Sequence, residues 1–555
     1  MFIQQDKFYD VIIIGAGISG LTSAALLSKA GISVCVIEQN SLPGGYLAKY
    51  EKNGYIFDTS IHWLNSCSPK DVVTRIFDLI GSDYPVAQPQ KRIKRYLGKN
   101  FDFLLTNNPD ELKELLIEKY PDDKKGIEIF FKSAKKLSIP LSRIGKMFRI
   151  GDTMNLFELI KHQLNKLRFV LPFLKHVMYS GKEGKRKGLS KYFNTPELHD
   201  VFANEDDLLS CLIPLAWAYN QDFYNSPVGG SFTYPKWLDY VVNYHGNKLI
   251  YKSKVIKINV DDKGSCKSVI YERGKKQEEL FCNYIIAACD IGSVYKKMLP
   301  EKYLPSKFLE KLNSAELYSS AFIIYISLDC PASIFGFNEE MISFTDCDDV
   351  FSKNETIKFS TNELSIFSQS ERDKTTAPKG CGTLTVMMPA YLKNNNTWQT
   401  KVDEKGNHIR GKEYNKLKEI YAETLISRIE DKLSVNIRKN IVSYNVATPV
   451  TLYRYTKNRD GSMMGAKPGK KNMLSRIAHY KTSVRGLYIS GHWAELGGGV
   501  PIAVKAAFNA TLLVLNKKKH KAFKLYIDYL NGKKTKDELL SSNTLIYYDN
   551  SWTNK

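Results

Sequence analysis

The chain opens on a run of apolar residues, Tyr9-Asp10-Val11-Ile12-Ile13-Ile14. Its continuous β-branched character predicts a parallel strand covered on both faces. The period then changes. Leu21 to Lys29 predicts a helix whose Ala24 and Ala25 permit close packing, Gly31 ends it, and Ser33 to Ile37 predicts a second strand. Further along, Tyr96, Phe101, Phe103 and Leu105 recur near period two and predict sheet, while about 109 to 202 turns helical with charged faces and apolar stripes. A buried strand is expected at Tyr284 to Asp290, strand-like runs at Phe322 to Leu328 and Leu384 to Met388, a strand and tight turn at Leu487 to Gly491, a helix at Ile502 to Leu515, and exposed loops from Lys393 to Lys412. Strands alternating with helices in this way predict an α/β fold.

One stripe stands apart. Between Asn155 and Met178 the apolar residues Leu156, Leu159, Ile160, Leu164, Leu167, Leu171 and Leu174 fall at three and four spacing, interleaved with Lys161, Lys166, Arg168 and Lys175. Such a stripe is usually a core-facing helix. A basic amphipathic helix lying in a membrane interface has the same pattern, and Lys182, Lys185, Arg186 and Lys187 extend the basic character. Pro172 is expected to break the run.

Between the first strand and helix stand Gly15, Gly17 and Gly20, a G-x-G-x-x-G turn. In such a turn the first glycine allows the bend, the second lets backbone approach a pyrophosphate, and the third lets helix and strand pack closely. Glu38 ends the second strand, where a carboxylate accepts from both hydroxyls of an unphosphorylated adenosine ribose. A second glycine pair, Pro43-Gly44-Gly45, follows, and then Phe57-Asp58-Thr59-Ser60-Ile61-His62.

Composition narrows the class. The 555 residues suffice for a large core, and the 80 basic against 58 acidic residues give a net charge of +22. An anionic partner suits that excess, either nucleic acid or an anionic membrane. No nucleic-acid module or zinc spacing accompanies it, so a nucleic-acid partner and a metal site are not expected. The excess is mostly lysine, and a solvated surface explains it equally well. Nine scattered cysteines without a C-x-x-C pair point to reduced thiols in a cytoplasmic setting. No uninterrupted apolar span of about 18 residues is expected, so membrane contact would be peripheral.

The glycine turn, Glu38, Pro43-Gly44-Gly45, Phe57-Asp58-Thr59, Val228-Gly229-Gly230 through Asp290, and Gly486 to Gly491 through Gly497 to Gly499 and Val500-Pro501 together resemble the phytoene desaturase superfamily of FAD-dependent oxidoreductases. That superfamily includes carotenoid desaturases, carotenoid isomerases and retinol saturases, and Ile61-His62 resembles the saturase branch. The resemblance implies a Rossmann-like FAD domain built from residues 1–85, 228–300 and 470–520, an α+β substrate domain from 86–227 and 301–469, and a tail from 521 to 555. It implies a helix at Thr233 to Tyr244 and a strand about Ile250 to Val260. By the same resemblance Gly15, Ala16, Gly17, Ser19, Gly20, Glu38 and Gln39 hold the adenosine and pyrophosphate, with Gly44 and Gly45 beside them. Val255 meets adenine through its backbone, and Gly491, His492 and Val500 approach the flavin, His492 standing where many relatives carry aspartate.

The implied reaction is hydride exchange between flavin and a carbon–carbon double bond of an apolar polyene, with an electron partner left open. His62 and Glu495 are the candidate proton donors, because histidine titrates near neutrality and a carboxyl in an apolar pocket can stay protonated. Two rivals share the fold: an amine-oxidase-type flavoenzyme, and a non-catalytic prenyl-binding escort protein, which the intact glycine motif disfavours.

Overall fold

The computed structural model describes residues 7–143, 147–202, 205, 207–344, 359, 363–392, 397–404 and 406–553. The elements that position the site, in chain order, are β1 (Phe8–Ile14), α1 (Ile18–Lys29), β2 (Val34–Ile37), α2 (Leu156–Val177), α3 (Leu208–Tyr219), α4 (Thr233–Tyr244), β3 (Lys248–Ile250), β4 (Lys254–Val260), β5 (Cys266–Arg273), β6 (Lys276–Ala287), β7 (Leu487–Ile489) and α5 (Gly499–Lys517).

The first sheet runs β4-β5-β6-β1-β2-β3, and β7 joins at β6. Its centre is parallel: β1 lies between β6 and β2, and β3 continues past β2. The long β6 is the joint. Its first half pairs antiparallel with β5, and its last residues pair parallel with β7. The predicted β-branched run Val11 to Ile14 is buried on both faces, as a central parallel strand must be. Every residue of α1 is buried, packed against α4 and α5, with Ser23 Oγ donating to the Ala507 carbonyl at 3.2 Å. The protein is therefore an α/β fold with a Rossmann-like sheet.

A second seven-stranded sheet takes its strands from Arg92–Leu97, Asp102–Thr106, Ser320–Leu328, Met341–Phe344, Leu364–Phe367, Gly382–Ala390 and Ile441–Ala447. All its pairs are antiparallel except Met341–Phe344 beside Arg92–Leu97. The helix Lys124–Leu141 and α3 pack in a core with Tyr96, Phe103 and Leu105.

Four local expectations need correction. α2 is not a core helix: among its residues only His176 is buried, and its exposed apolar side chains range from 37% at Val170 to 77% at Phe157. Pro172 does not end it. The lost bond falls at the exposed Arg168 carbonyl, where water can replace it, and an Asn155–Glu158 capping box secures the start. The stretch before Lys412 contains a small hairpin, Lys401–Val402 with His408–Ile409, while 393–396 lie outside the described residues. Finally, α5 is long and apolar enough to cross a membrane, but 72% of that apolar window is buried inside the protein.

Candidate functional site

A single cavity of about 1260 Å³ runs along the carboxyl ends of β1, β2 and β6 and into the space between α2 and α3. That exceeds the roughly 300–1,000 Å³ of an ordinary ligand pocket.

At its first end the G-x-G-x-x-G turn does what its glycines dictate. Gly15 has φ +102°, and a Cβ there would meet the Ala288 carbonyl at 2.8 Å. A Cβ on Gly20 would stand 2.0 Å from the Gly15 carbonyl oxygen. A Cβ on Gly17 meets nothing within 4 Å and points into open space at the cavity wall. Gly44, at φ +120°, donates to the Ala16 carbonyl at 2.8 Å, and a Cβ on Gly45 would crowd Gly17 Cα at 3.3 Å. The second glycine pair is thus a brace for the first.

Glu38 is buried at this end, accepting from Ala16 N–H at 2.7 Å and from Asn40 N–H and Nδ2 at 2.8 and 2.9 Å. Burial pushes its carboxyl above the usual range, against those hydrogen bonds. Gln39 donates to the Tyr455 carbonyl, and Val255 is a buried residue of β4 on the same wall. The Ser19 hydroxyl is engaged with that of Ser490 at 2.7 Å, tying α1 to the turn after β7.

Two helices aim uncapped amino termini at the cavity. Neither Gly17 before α1 nor Gly498 before α5 supplies a side-chain cap, and neither first turn carries an acid. Orphan N–H groups and the helix dipole there favour negative charge. Gly491, His492 and Val500 line the wall near α5. Together with the open side of Gly17, these features fit a dinucleotide cofactor of the FAD type.

His62 sits farther along, where Ser60 to Leu64 line the cavity. Its ring stacks on Phe367 at 4.0 Å between centroids, and Arg372 donates to its backbone carbonyl. The residue is half-buried and lines the cavity, with its Nε2 fully buried. Burial, assisted by the Arg372 charge, pulls its pKa down to about 3. The expectation that His62 titrates near neutrality is corrected: this imidazole is neutral at physiological pH. His492 is likewise lowered, to about 4, by burial.

Glu495 also differs from expectation. It does not line the cavity. Its carboxylate pairs with Lys505 Nζ at 2.8 Å and accepts from the Tyr480 hydroxyl at 2.5 Å. The carboxylate is thus held by Lys505 and Tyr480 and is not turned into the cavity. Lys505 itself reaches the wall.

The motif Phe57-Asp58-Thr59 turns out to anchor distant chain. Asp58 accepts from the Ser226 hydroxyl at 2.8 Å and from Ser231 N–H and hydroxyl at 2.8 and 2.9 Å, which pins the Val228-Gly229-Gly230 turn before α4. Residues without any sequence signal complete the wall. Tyr455 and Asn458 follow Ile441–Ala447, with Asn458 Oδ1 accepting from Trp493 Nε1 at 3.0 Å. Phe169, Phe173, Ile213 and Trp217, from α2 and α3, line the apolar extension.

Acidification should expose the buried histidines. The unfolded chain protonates both imidazoles below about pH 6.5, whereas the folded protein keeps them neutral to roughly pH 3–4. The unfolded state binds more protons over that window, so stability is lost as pH falls through it, by at most ~1.4 kcal/mol per pH unit per site. Calorimetry of His492→Gln between pH 7 and 5 should give a shallower fall in Tm than the parent, and parallel curves would remove His492 as a contributor.

Residues 13–79 match the NAD(P)-binding Rossmann-like domain family. Prolycopene isomerase from Daucus carota is 26% identical over 538 residues, covering 92% of this chain and 80% of that one. All-trans-retinol 13,14-reductase from Rattus norvegicus is 24% identical, covering 87% and 82%. In fold the chain is similar to putrescine oxidase with putrescine bound, at TM-score 0.58 and 12% identity over 92% of this chain and 99% of that one. Along most of its length the chain is thus similar to prolycopene isomerases and retinol 13,14-reductases, a likeness consistent with the FAD-dependent oxidoreductase superfamily.

Proposed function

We propose that the protein binds FAD and acts on carbon–carbon double bonds of an apolar polyene or isoprenoid-like lipid. The observation that carries this reading is the continuity of the cavity: one space joins the glycine turns to an extension walled by Phe169, Phe173, Ile213 and Trp217. FAD, when bound, supplies hydride exchange with carbon. The backbone of Gly15, Ala16, Gly17, Ser19 and Gly20 holds the pyrophosphate against α1, Glu38 and Gln39 meet the ribose, and Val255 meets adenine. Gly44 and Gly45 keep the first turn in place. Gly491, His492 and Val500 present the amino terminus of α5 to the negative charge that reduction brings. The aromatic walls orient the lipid and exclude water. His62 positions the polyene; its neutral ring is a hydrogen-bonding edge and not a reservoir of protons. On this reading the first sheet is the cofactor domain and the second, with the helices of 109–219, the substrate domain.

α2 is the proposed route by which the lipid arrives. Val170 and Leu174 are at once exposed and part of the cavity wall, so the cavity opens beside the helix. Next to that opening lies the exposed stripe Leu156, Ile160, Leu164, Leu167 and Leu171, flanked by exposed Lys161, Lys166, Arg168 and Lys175. An apolar stripe edged by lysine suits an anionic membrane surface, from which a polyene enters without crossing water.

Product mass tests the reaction. Protein loaded with FAD and given cis- and trans-polyenes in liposomes should yield a lipid lighter by two hydrogens from the oxidised form, a lipid heavier by two hydrogens from the photoreduced form, or one of unchanged mass and altered retention. The fold likeness to putrescine oxidase keeps an amine-oxidising rival in view. Hydrogen peroxide released on amines, with every polyene returned unchanged, would contradict the proposal.

A further inference from the structure

Behind His62, separated from the main cavity by its ring and by Phe367, lies a second chamber of about 20 Å³. A single water needs roughly 10–15 Å³ measured in this way, so the chamber holds one and no more. Three polar atoms on its walls lack partners, His62 Nε2, Asn225 Oδ1 and Arg372 Nη2, and a fourth, Gln369 Nε2, lies beside the Asp58 carboxylate with a second N–H to give. Asn225 is only 7% exposed. Leaving such groups unpaired costs about 1–3 kcal/mol each.

Their chemistry is complementary. Gln369 accepts Asp58 N–H on Oε1 at 2.7 Å, which fixes the amide and turns Nε2, a donor, toward the chamber beside the Asp58 carboxylate. Arg372 is held by bonds from Nε to the Glu339 carbonyl at 2.5 Å and from Nη1 to the His62 carbonyl, leaving Nη2 as a second donor. Asn225 Oδ1 is an acceptor. Two donors and two acceptors are what one water satisfies in full.

We propose that a buried water in this chamber accepts from Arg372 Nη2 and Gln369 Nε2 and donates to Asn225 Oδ1 and His62 Nε2, making Arg372 a positioning residue that locks His62 as the Nδ1–H tautomer. The guanidinium acts twice, through the His62 carbonyl and through the water. The neighbouring positive charge and burial hold the ring neutral, in keeping with its lowered pKa. His62 then carries its proton on the nitrogen other than the one facing the water, and its ring is fixed against Phe367 at the wall of the lipid cavity. The consequence for turnover rests on the proposed polyene chemistry; the tautomer does not.

The test is long-range ¹H–¹⁵N NMR of the FAD-loaded protein with ¹⁵N-labelled histidine, the His62 signals being identified by their loss in His62→Gln. The expected pattern is a neutral ring protonated at Nδ1. Asn225→Leu, which fills the chamber with methyl groups, should lose that single tautomer and lower kcat about 10- to 100-fold with KM little changed. Asn225→Asp keeps an acceptor and should restore the parent pattern. An Nε2–H ring in the parent overturns the proposal, as does a tautomer unmoved in folded Asn225→Leu. Should that variant not fold, a crystal structure of the parent decides: one water with these four partners supports it, and a bound anion or an empty chamber refutes it. If no polyene is turned over, only the kcat comparison is lost, and the spectrum still decides.

Discussion

Gly17→Leu protein folds, keeps the thermal stability of the cofactor-free parent and comes off the column colourless. The backbone at Gly17 is extended, with φ −72° and ψ 173°, so any residue can adopt it. A side chain there meets no protein atom within 4 Å and enters the cavity where the pyrophosphate would lie. Overpacking of that kind costs about 1–3 kcal/mol or more, which weakens FAD binding by at least about 5- to 150-fold. Gly20→Ala is the contrasting change. Its Cβ falls 2.0 Å from the Gly15 carbonyl oxygen, a backbone atom that cannot step aside without moving α1 from β1. That variant should lose about 3 kcal/mol or more of fold stability whether or not cofactor is present. Denaturant titration of the cofactor-free forms and flavin absorbance of the reconstituted forms separate the two. A yellow Gly17→Leu protein would mean that the turn does not carry the pyrophosphate.

Leu164→Glu, Leu167→Glu and Leu171→Glu combined should abolish flotation with anionic liposomes and leave the fold intact. All three side chains are more than half exposed, so their replacement removes no core contact. Fully burying one leucine contributes about 1.5–3 kcal/mol, and even partial insertion of three makes a loss of at least ~10²-fold reasonable. The parent should bind anionic liposomes better than neutral ones and be released by salt, since screening shortens exposed charge to about 8 Å near physiological ionic strength. Equal flotation with neutral liposomes, or normal flotation of the triple variant, would separate the net charge of +22 from any membrane role.

What could be read from the sequence was local. The run Val11 to Ile14, the three glycines and Glu38 lie in one unit whose shape is set by neighbours in the chain, and α4 spans the expected Thr233 to Tyr244. The stripe in α2 was equally visible, but periodicity records that a face is apolar and not what covers it. Pro172 has a local propensity to end a helix, which loses little where the freed carbonyl is exposed. The surroundings of the proton candidates were hidden for a different reason. Both Glu495 and His62 have plausible chemistry in isolation, yet Lys505 and Tyr480 pair the first, while burial beside Arg372, 310 residues on, neutralises the second. No spacing in the chain announces Arg372, Asn225 or Asn458, because each reaches the site through a tertiary contact. Asp58 shows the converse: its motif is visible in sequence, and its work is to pin the turn before α4.

The central claim is that cofactor and polyene meet in one cavity and exchange reducing equivalents there. Its most direct test is anaerobic: the FAD-loaded protein, photoreduced under argon, is mixed with a polyene in anionic liposomes while flavin absorbance is followed. If the polyene is saturated, the account predicts that the oxidised flavin band returns on mixing with at least one polyene, and that lipid mass spectrometry recovers the same number of electrons as added hydrogens. If the polyene instead gives up hydrogen, the oxidised protein bleaches on mixing and the reduced protein does not respond. If neither form changes with any polyene, no product is formed, and the oxidised form bleaches with amines, the account is contradicted.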